Sequence, residues 1–173
     1  RAFATRLDTQ LDAAQKSGET FAVMMVDADR LKTINDRMGH DAGNEMIRHM
    51  VTCVRRALRA SDVVARYGGD EFVLLLPEAD AAAAREVADR IRRSVSNSSL
   101  DIEGEAVMTT VSIGFAVYPD AATEARELLA AADAALYRSK EAGRDLACGH
   151  DEQVATVQAR PSVGAVASPE ALQ

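Results

Sequence analysis

The sequence predicts an α+β fold in which helices cover a sheet. Three observations carry that expectation. Phe21 to Val26 is an unbroken apolar run, short enough to be a strand buried on both faces. Gly68-Gly69 separates two strand-like runs, Val63 to Tyr67 and Glu71 to Leu76, as an antiparallel hairpin turn would. Segments with helical periodicity alternate with these strands, so both element types must share a core.

The elements follow in order. Phe3, Leu7 and Leu11 recur every fourth residue and Gly18 follows, the pattern of an amphipathic helix with a glycine stop. The Phe21 run ends abruptly at Asp27-Ala28-Asp29. The polar, glycine-punctuated stretch RLKTINDRMGHDAGNE, residues 30–45, reads as a helical turn and a loop. Met46, Met50, Val54 and Leu58 then keep one face of a long helix, with Arg48, Arg55 and Arg59 on other faces. The hairpin comes next, and Pro77 ends its second strand. Asp80 is placed to cap a helix that turns Val87, Ile91 and Val95 inward. Val107 to Tyr118 contains a further strand, rich in β-branched residues. Leu128, Leu129, Ala132 and Leu136 mark a last helix, closing near Gly143. From His150 onward periodicity vanishes and Ala, Ser, Pro and Gln dominate. One domain is therefore expected over residues 1–149, with a flexible tail over residues 150–173.

Composition narrows the function. The chain has 173 residues, 47% hydrophobic but only 4% aromatic and without Trp, so its core is mostly aliphatic. The formal net charge is -7. That argues against binding nucleic acid polymers or anionic membranes, which both need a basic surface. An anionic ligand would need local cations or a metal to overcome the same field. Cys53 falls in a helical pattern and Cys148 beside the tail-like segment, so no disulfide framework is expected and the cytoplasm is the default compartment. His40, His49 and His150 lack the spacing of zinc ligands. No apolar run reaches the length of a membrane span.

Two carboxylates stand at strand ends. Asp27 sits where the buried strand emerges, and Asp70 where the hairpin turns. If those strands are neighbours, the carboxylates converge. At about 4 Å and an effective dielectric of about 20 they would repel by roughly 4 kcal/mol. A cation between them resolves the conflict. Mg²⁺ suits, because it takes oxygen ligands and shares its shell with phosphates. Gly68 and Gly69 let the backbone approach a bulky ligand closely.

Three stretches together, VDADRLKTINDRMGHDAGNE, RYGGDEF and ADAALYRSKEAGR, resemble the GGDEF domain, the diguanylate cyclase module of bacterial signalling. The resemblance implies a central, mostly antiparallel sheet covered by helices, similar to class III nucleotide cyclase catalytic domains and polymerase palms. It also implies that two GTP condense to cyclic di-GMP with release of pyrophosphate, each subunit of a homodimer holding one GTP. Carried onto this chain, Asp27 and Asp70 would bind Mg²⁺, or Mn²⁺ in its place, with the Ala28 carbonyl assisting. Glu71 would hold a second metal or activate the attacking 3′-hydroxyl. Neighbours on an ideal strand point to opposite faces, so Asp70 and Glu71 share one site only if the hairpin tip is distorted. Lys32, Lys140 and Arg144 would contact phosphates, alongside Gly68 and Gly69.

The base readers depart from the family pattern. Asn35 matches the asparagine that contacts guanine. Asn44 stands where an aspartate is usual. A carboxylate accepts both N1–H and N2–H₂ of guanine, whereas an amide offers one acceptor and one donor and can match adenine. Two products therefore stay open, cyclic di-GMP and a mixed GMP-AMP dinucleotide made with ATP. A non-catalytic sensor of GTP or cyclic di-GMP is a third reading, disfavoured because Asp27, Asp70 and Glu71 are all present. Arg59-Ala60-Ser61-Asp62 resembles the family's R-x-x-D inhibitory motif, with Arg90 as a further arm. Product bound there would inhibit. Leu31 replaces a common phenylalanine, and Asp145 a common asparagine. The family's upstream D-x-L-T-G-L-x-N-R segment is absent before Arg1. The resemblance implies a sensory or receiver domain on the N-terminal side of the full-length protein, whose parent could be membrane-anchored.

Overall fold

The computed structural model describes residues 2–152. Along them run α1 (Ala2–Ser17), β1 (Phe21–Ala28), α2 (Leu31–Met38), α3 (His40–Arg56), β2 (Val63–Arg66), β3 (Glu71–Pro77), α4 (Ala81–Ser96), β4 (Leu100–Ile102), β5 (Glu105–Val107), β6 (Val111–Tyr118), α5 (Ala125–Glu141) and β7 (Ala147–Gly149). Five strands form one sheet in the order β2-β3-β1-β6-β7. β1 pairs antiparallel with both β3 and β6, and β2 antiparallel with β3. Only β7 runs parallel to its neighbour, β6. The expected α+β fold with a mostly antiparallel sheet is thus the observed one.

Every residue of β1 and of β6 is buried. The reason is that both sheet faces are covered. Successive strand residues point to opposite sides. Ala22, Met24, Val26 and Ala28 join α2, α3 and α4 in one apolar cluster. Phe21, Val23 and Met25 join α1 and α5 in the other. At Gly114 of β6, an added Cβ would stand 2.0 Å from Leu136 N and 2.2 Å from Ala132 O. The backbone of α5 therefore lies directly on the sheet, which fixes the direction in which the helix carries Lys140. Asp80 caps α4 as expected, its Oδ1 accepting from Ala83 N at 2.8 Å, a contact of about 1 kcal/mol.

Two expectations are corrected. Residues 30–45 are not a helical turn and loop but α2 and the start of α3, hinged at Gly39. That glycine has φ 87°, a left-handed backbone that favours glycine. The strand expected within Val107 to Tyr118 is present as β6. Val107 ends β5, which pairs with β4 as a separate hairpin, and β6 begins at Val111. Gly68-Gly69 is not a two-residue turn: Tyr67 N and Gly68 N both donate to Glu71 O, closing a longer loop. Cys148 is wholly buried in β7. Within the described residues, Glu152 accepts from Gly149 N and pairs with Arg85. The rest of the expected tail lies outside the described residues. Among the described residues no helix is long and apolar enough to cross a membrane.

Candidate active site

The antiparallel register of β1 and β3 decides where the acids meet. Asp27 is the Cα partner of Glu71, so pleat alternation puts both on one face. Asp70 lies in the bend just before β3, and its carbonyl accepts from Ala28 N at 3.3 Å. The three acids predicted from the motifs are therefore brought to one end of the sheet, and the hairpin tip is distorted at Asp70, which lies outside the regular strand. Arg66 holds that distortion. Its Nε donates to the carbonyls of Gly68 at 3.2 Å and Gly69 at 3.0 Å, and its Nη2 also reaches Gly69 O.

Asp27 is 8% exposed. Lys140, brought over β6 by α5, places Nζ 3.1 Å from Asp27 Oδ2. Burial pushes the Asp27 carboxyl up from an ordinary 3.8 to about 6. Lys140 pulls the other way, by hydrogen bond and by charge, while Asp70 and then Glu71 add to the rise. One lysine does not neutralise three facing acids, and the site can take a further cation.

The expected base readers, Asn35 and Asn44, lie at the corner between α2 and α3. Lys32 and Asn35 are one helical turn apart on α2, so they share a face. Asn35 reaches across to α3, where an added Cβ on Gly43 would stand 1.9 Å from its Oδ1. Asn44, next in the chain, is exposed at the same corner. The third expected phosphate contact, Arg144, is exposed in the loop after α5. A cavity of about 660 Å³ lies beside this arrangement, lined by Arg30 just before α2, by Thr33 and Arg37 of α2, and by Thr109, Arg144 and Asp145.

The R-x-x-D segment forms a closed turn between α3 and β2. Arg59 N donates to Asp62 Oδ2 at 2.7 Å, and Asp62 N to Arg59 O at 3.2 Å. Arg90, on α4, donates from Nε to Ala57 O at 2.9 Å. Arg59, Asp62 and Arg90 are therefore gathered at one corner, separate from the acids.

Sequence reasoning gave no part to Asp29, which the structure buries to 4% exposure with both carboxylate oxygens engaged. Oδ1 accepts from Ser112 Oγ at 2.7 Å; Oδ2 accepts from Thr110 Oγ1 at 2.7 Å and Asp145 N at 3.0 Å. The one available signal was its shared strand parity with Asp27. Its partners lie more than eighty positions away, beyond the reach of any local pattern.

Comparison with known proteins adds a family context. The sequence model described as "Diguanylate cyclase, GGDEF domain" matches residues 1–146. The chain is 38% identical over 146 residues to Diguanylate cyclase A of Treponema denticola, covering 83% of this chain and 39% of that protein. It is 43% identical over 143 residues to Diguanylate cyclase TpbB of Pseudomonas aeruginosa, covering 82% and 33%. The chain thus spans 39% and 33% of the length of these curated relatives. The crystal structure of the GGDEF domain of TpbB (YfiN) is similar with a TM-score of 0.84 and 40% identity, over 88% of this chain and 96% of that one. The GGDEF domain of DgcB from Caulobacter crescentus, solved in complex with c-di-GMP, gives 0.81 and 32%, over 87% and 90%.

Proposed function

The chain belongs to the GGDEF domain family, and on that footing we propose that it condenses two GTP into cyclic di-GMP, releasing two pyrophosphates. The observation that carries this reading is the state of Asp27: buried, faced by Asp70 and Glu71, and balanced among the described residues by Lys140 alone. Such a cluster suits a metal-bound triphosphate better than it suits solvent.

The donor set fits Mg²⁺. Among the described residues no three His, Cys, Asp or Glu side chains converge to cage a metal by themselves. Mg²⁺ is usually held by one or two carboxylates plus substrate phosphates, so a cage is not needed. Asp27 with Asp70 or Glu71, and the Ala28 carbonyl, would hold it, and Mn²⁺ would serve in its place. The ion supplies charge neutralisation at the α-phosphate and at the departing pyrophosphate.

The chain's own groups do the rest. Asn35 and Asn44 hold the purine edge. Lys32, Lys140 and Arg144 neutralise and orient the phosphates, and the open backbone at Gly69 lets them approach. The 3′-oxygen of one GTP attacks the α-phosphorus of the other, and the bond to pyrophosphate breaks. Glu71 takes the hydroxyl proton. The reciprocal attack closes the ring. One domain holds one nucleotide, so the reaction needs a homodimer with facing sites. Product captured by Arg59, Asp62 and Arg90 would hold domains apart and inhibit; an arginine fork can engage guanine O6 and N7, and a carboxylate N1–H and N2–H₂.

Asn44 favours a second reading, a relaxed purine cyclase. Incubation with Mg²⁺ and equal GTP and ATP, with products identified by mass, separates the two. Cyclic di-GMP alone supports the main reading. A mixed dinucleotide that gives way to cyclic di-GMP in Asn44→Asp supports the second. No dinucleotide from any mixture, under conditions where the protein is folded and dimeric, defeats both.

A further inference from the structure

We propose that Asp29 is a positioning residue for the phosphate-binding arginine, and not a metal ligand despite its place in Asp27-Ala28-Asp29. The proposal rests on the reading of Arg144 as a phosphate contact.

The loop that carries Arg144 is strained. Gly143, Arg144 and Asp145 have φ of 119°, 68° and 46° in succession. Two of the three are non-glycine residues in the left-handed region, which persists only when the surroundings over-determine it. Three contacts do so. Arg144 N donates to Ser139 O at 3.1 Å. Asp145 N donates to Asp29 Oδ2 at 3.0 Å. Arg92, on α4, pairs with Asp145 Oδ1 at 3.0 Å. The backbone of Arg144 is thus pinned on both sides. Its guanidinium is exposed, and no side-chain partner for it is found among the described residues. A cation left unpaired on a strained, pinned backbone beside an acidic site is arranged for a ligand.

Asp29 is the anchor of that loop. Its oxygens take three donors, two hydroxyls from the start of β6 and one amide from the loop. Asp29 N donates to Thr110 O at 2.9 Å, and Asp29 O accepts from Thr109 Oγ1 at 3.0 Å. Side chain and backbone together tie the end of β1, the start of β6 and the α5–β7 loop into one unit. With its oxygens so engaged, Asp29 is not a free ligand for a metal. What it sets is the position of Arg144 relative to Asp27 and Lys140. Asp145 adds to the strut in this chain, because a carboxylate there makes an ion pair with Arg92 that an asparagine could not.

The test measures binding without turnover. GTP and guanosine affinities are taken by calorimetry with Ca²⁺ in place of Mg²⁺, for the unsubstituted chain, Asp29→Asn, Arg144→Ala and the double variant. Asp29→Asn keeps the shape but turns an NH₂ toward a donor. It should weaken GTP about tenfold and leave guanosine unchanged. The double variant should bind GTP no worse than Arg144→Ala alone, since the anchor has nothing left to position. Additive losses overturn the proposal, as does an equal loss for guanosine. An Arg144→Ala chain that binds GTP normally defeats the phosphate reading itself, and the proposal with it. Should Asp29→Asn fail to fold, Arg92→Gln loosens the same loop from outside. It should show the same split between GTP and guanosine, and a split of the opposite kind overturns the proposal.

Discussion

Asp27 and Asp29 stand two residues apart at one strand end, both nearly excluded from solvent, yet their surroundings are opposite. Asp29 is served by three neutral donors. Asp27 has one lysine and two facing acids. Burying a charge is tolerable when hydrogen bonds replace water. The Asp29 region meets that condition within the protein, so it serves the fold. The Asp27 region does not meet it, so it holds free energy that a cation and phosphates can release. The largest expected effect tests this contrast directly. Asp27→Asn should lower dinucleotide formation at least about 100-fold, while leaving metal-free thermal stability at neutral pH unchanged or higher. Ser112→Ala, which strips one donor from Asp29, should do the reverse: stability falls by about 1–3 kcal/mol and the Mg²⁺ requirement stays put. Circular-dichroism melts and Mg²⁺ titrations of activity read both. A Ser112→Ala chain that instead loses its metal response would erase the distinction.

The same contrast explains what could be foreseen. Motif residues at the acid end were legible because their chemistry is local: D-x-D at a strand end, acids after a glycine pair, a lysine and an arginine near a helix end. The buried strands were legible from apolar runs, and the α4 cap from Asp80. What escaped notice depends on partners distant in sequence. β7 is Ala-Cys-Gly, with no β-branched residue, and exists because β6 offers a parallel edge. α2 looked like a loop because only Leu31 and Ile34 of its residues are buried and all the others but Met38 are polar. The hub at Asp29 needs residues 110, 112 and 145, which no window around it contains.

A second prediction sharpens the comparison through pH. The Asp27 carboxyl titrates near 6 rather than 3.8, chiefly because it is buried. Its raised value means that the metal-free fold binds the proton more tightly than the unfolded chain does. The resulting stability is fully present below 3.8 and is lost as pH rises through about 6. Metal binding needs the anion, so Mg²⁺ affinity should climb over the same window. Lys140→Met removes the group that lowers the value. The midpoint of carboxyl chemical shift against pH, read by NMR on the metal-free protein, should then move up. A midpoint that falls or stays fixed in Lys140→Met would mean that the lysine is not what stabilises the anion.

The smallest effect concerns two glycines with opposite surroundings, which repeat the contrast in miniature. At Gly69 an added Cβ would meet nothing within 4 Å, whereas at Gly43 it would meet Asn35 Oδ1 at 1.9 Å. Gly43 lies inside α3, where alanine is favoured over glycine by about 1 kcal/mol. The clash is with the tip of a flexible side chain, which can swing away. Gly43→Ala should therefore fold at least as well as the parent and yet displace Asn35 from the purine edge, weakening guanosine as well as GTP, roughly fivefold. Gly69→Ala should leave guanosine binding alone and weaken only ligands that carry phosphates. Calorimetry with the two ligands separates the outcomes. If Gly43→Ala binds guanosine as tightly as the parent, Asn35 either does not touch the base or has a second rotamer that does. The base-reading corner would then be looser than the close approach of Asn35 to Gly43 implies.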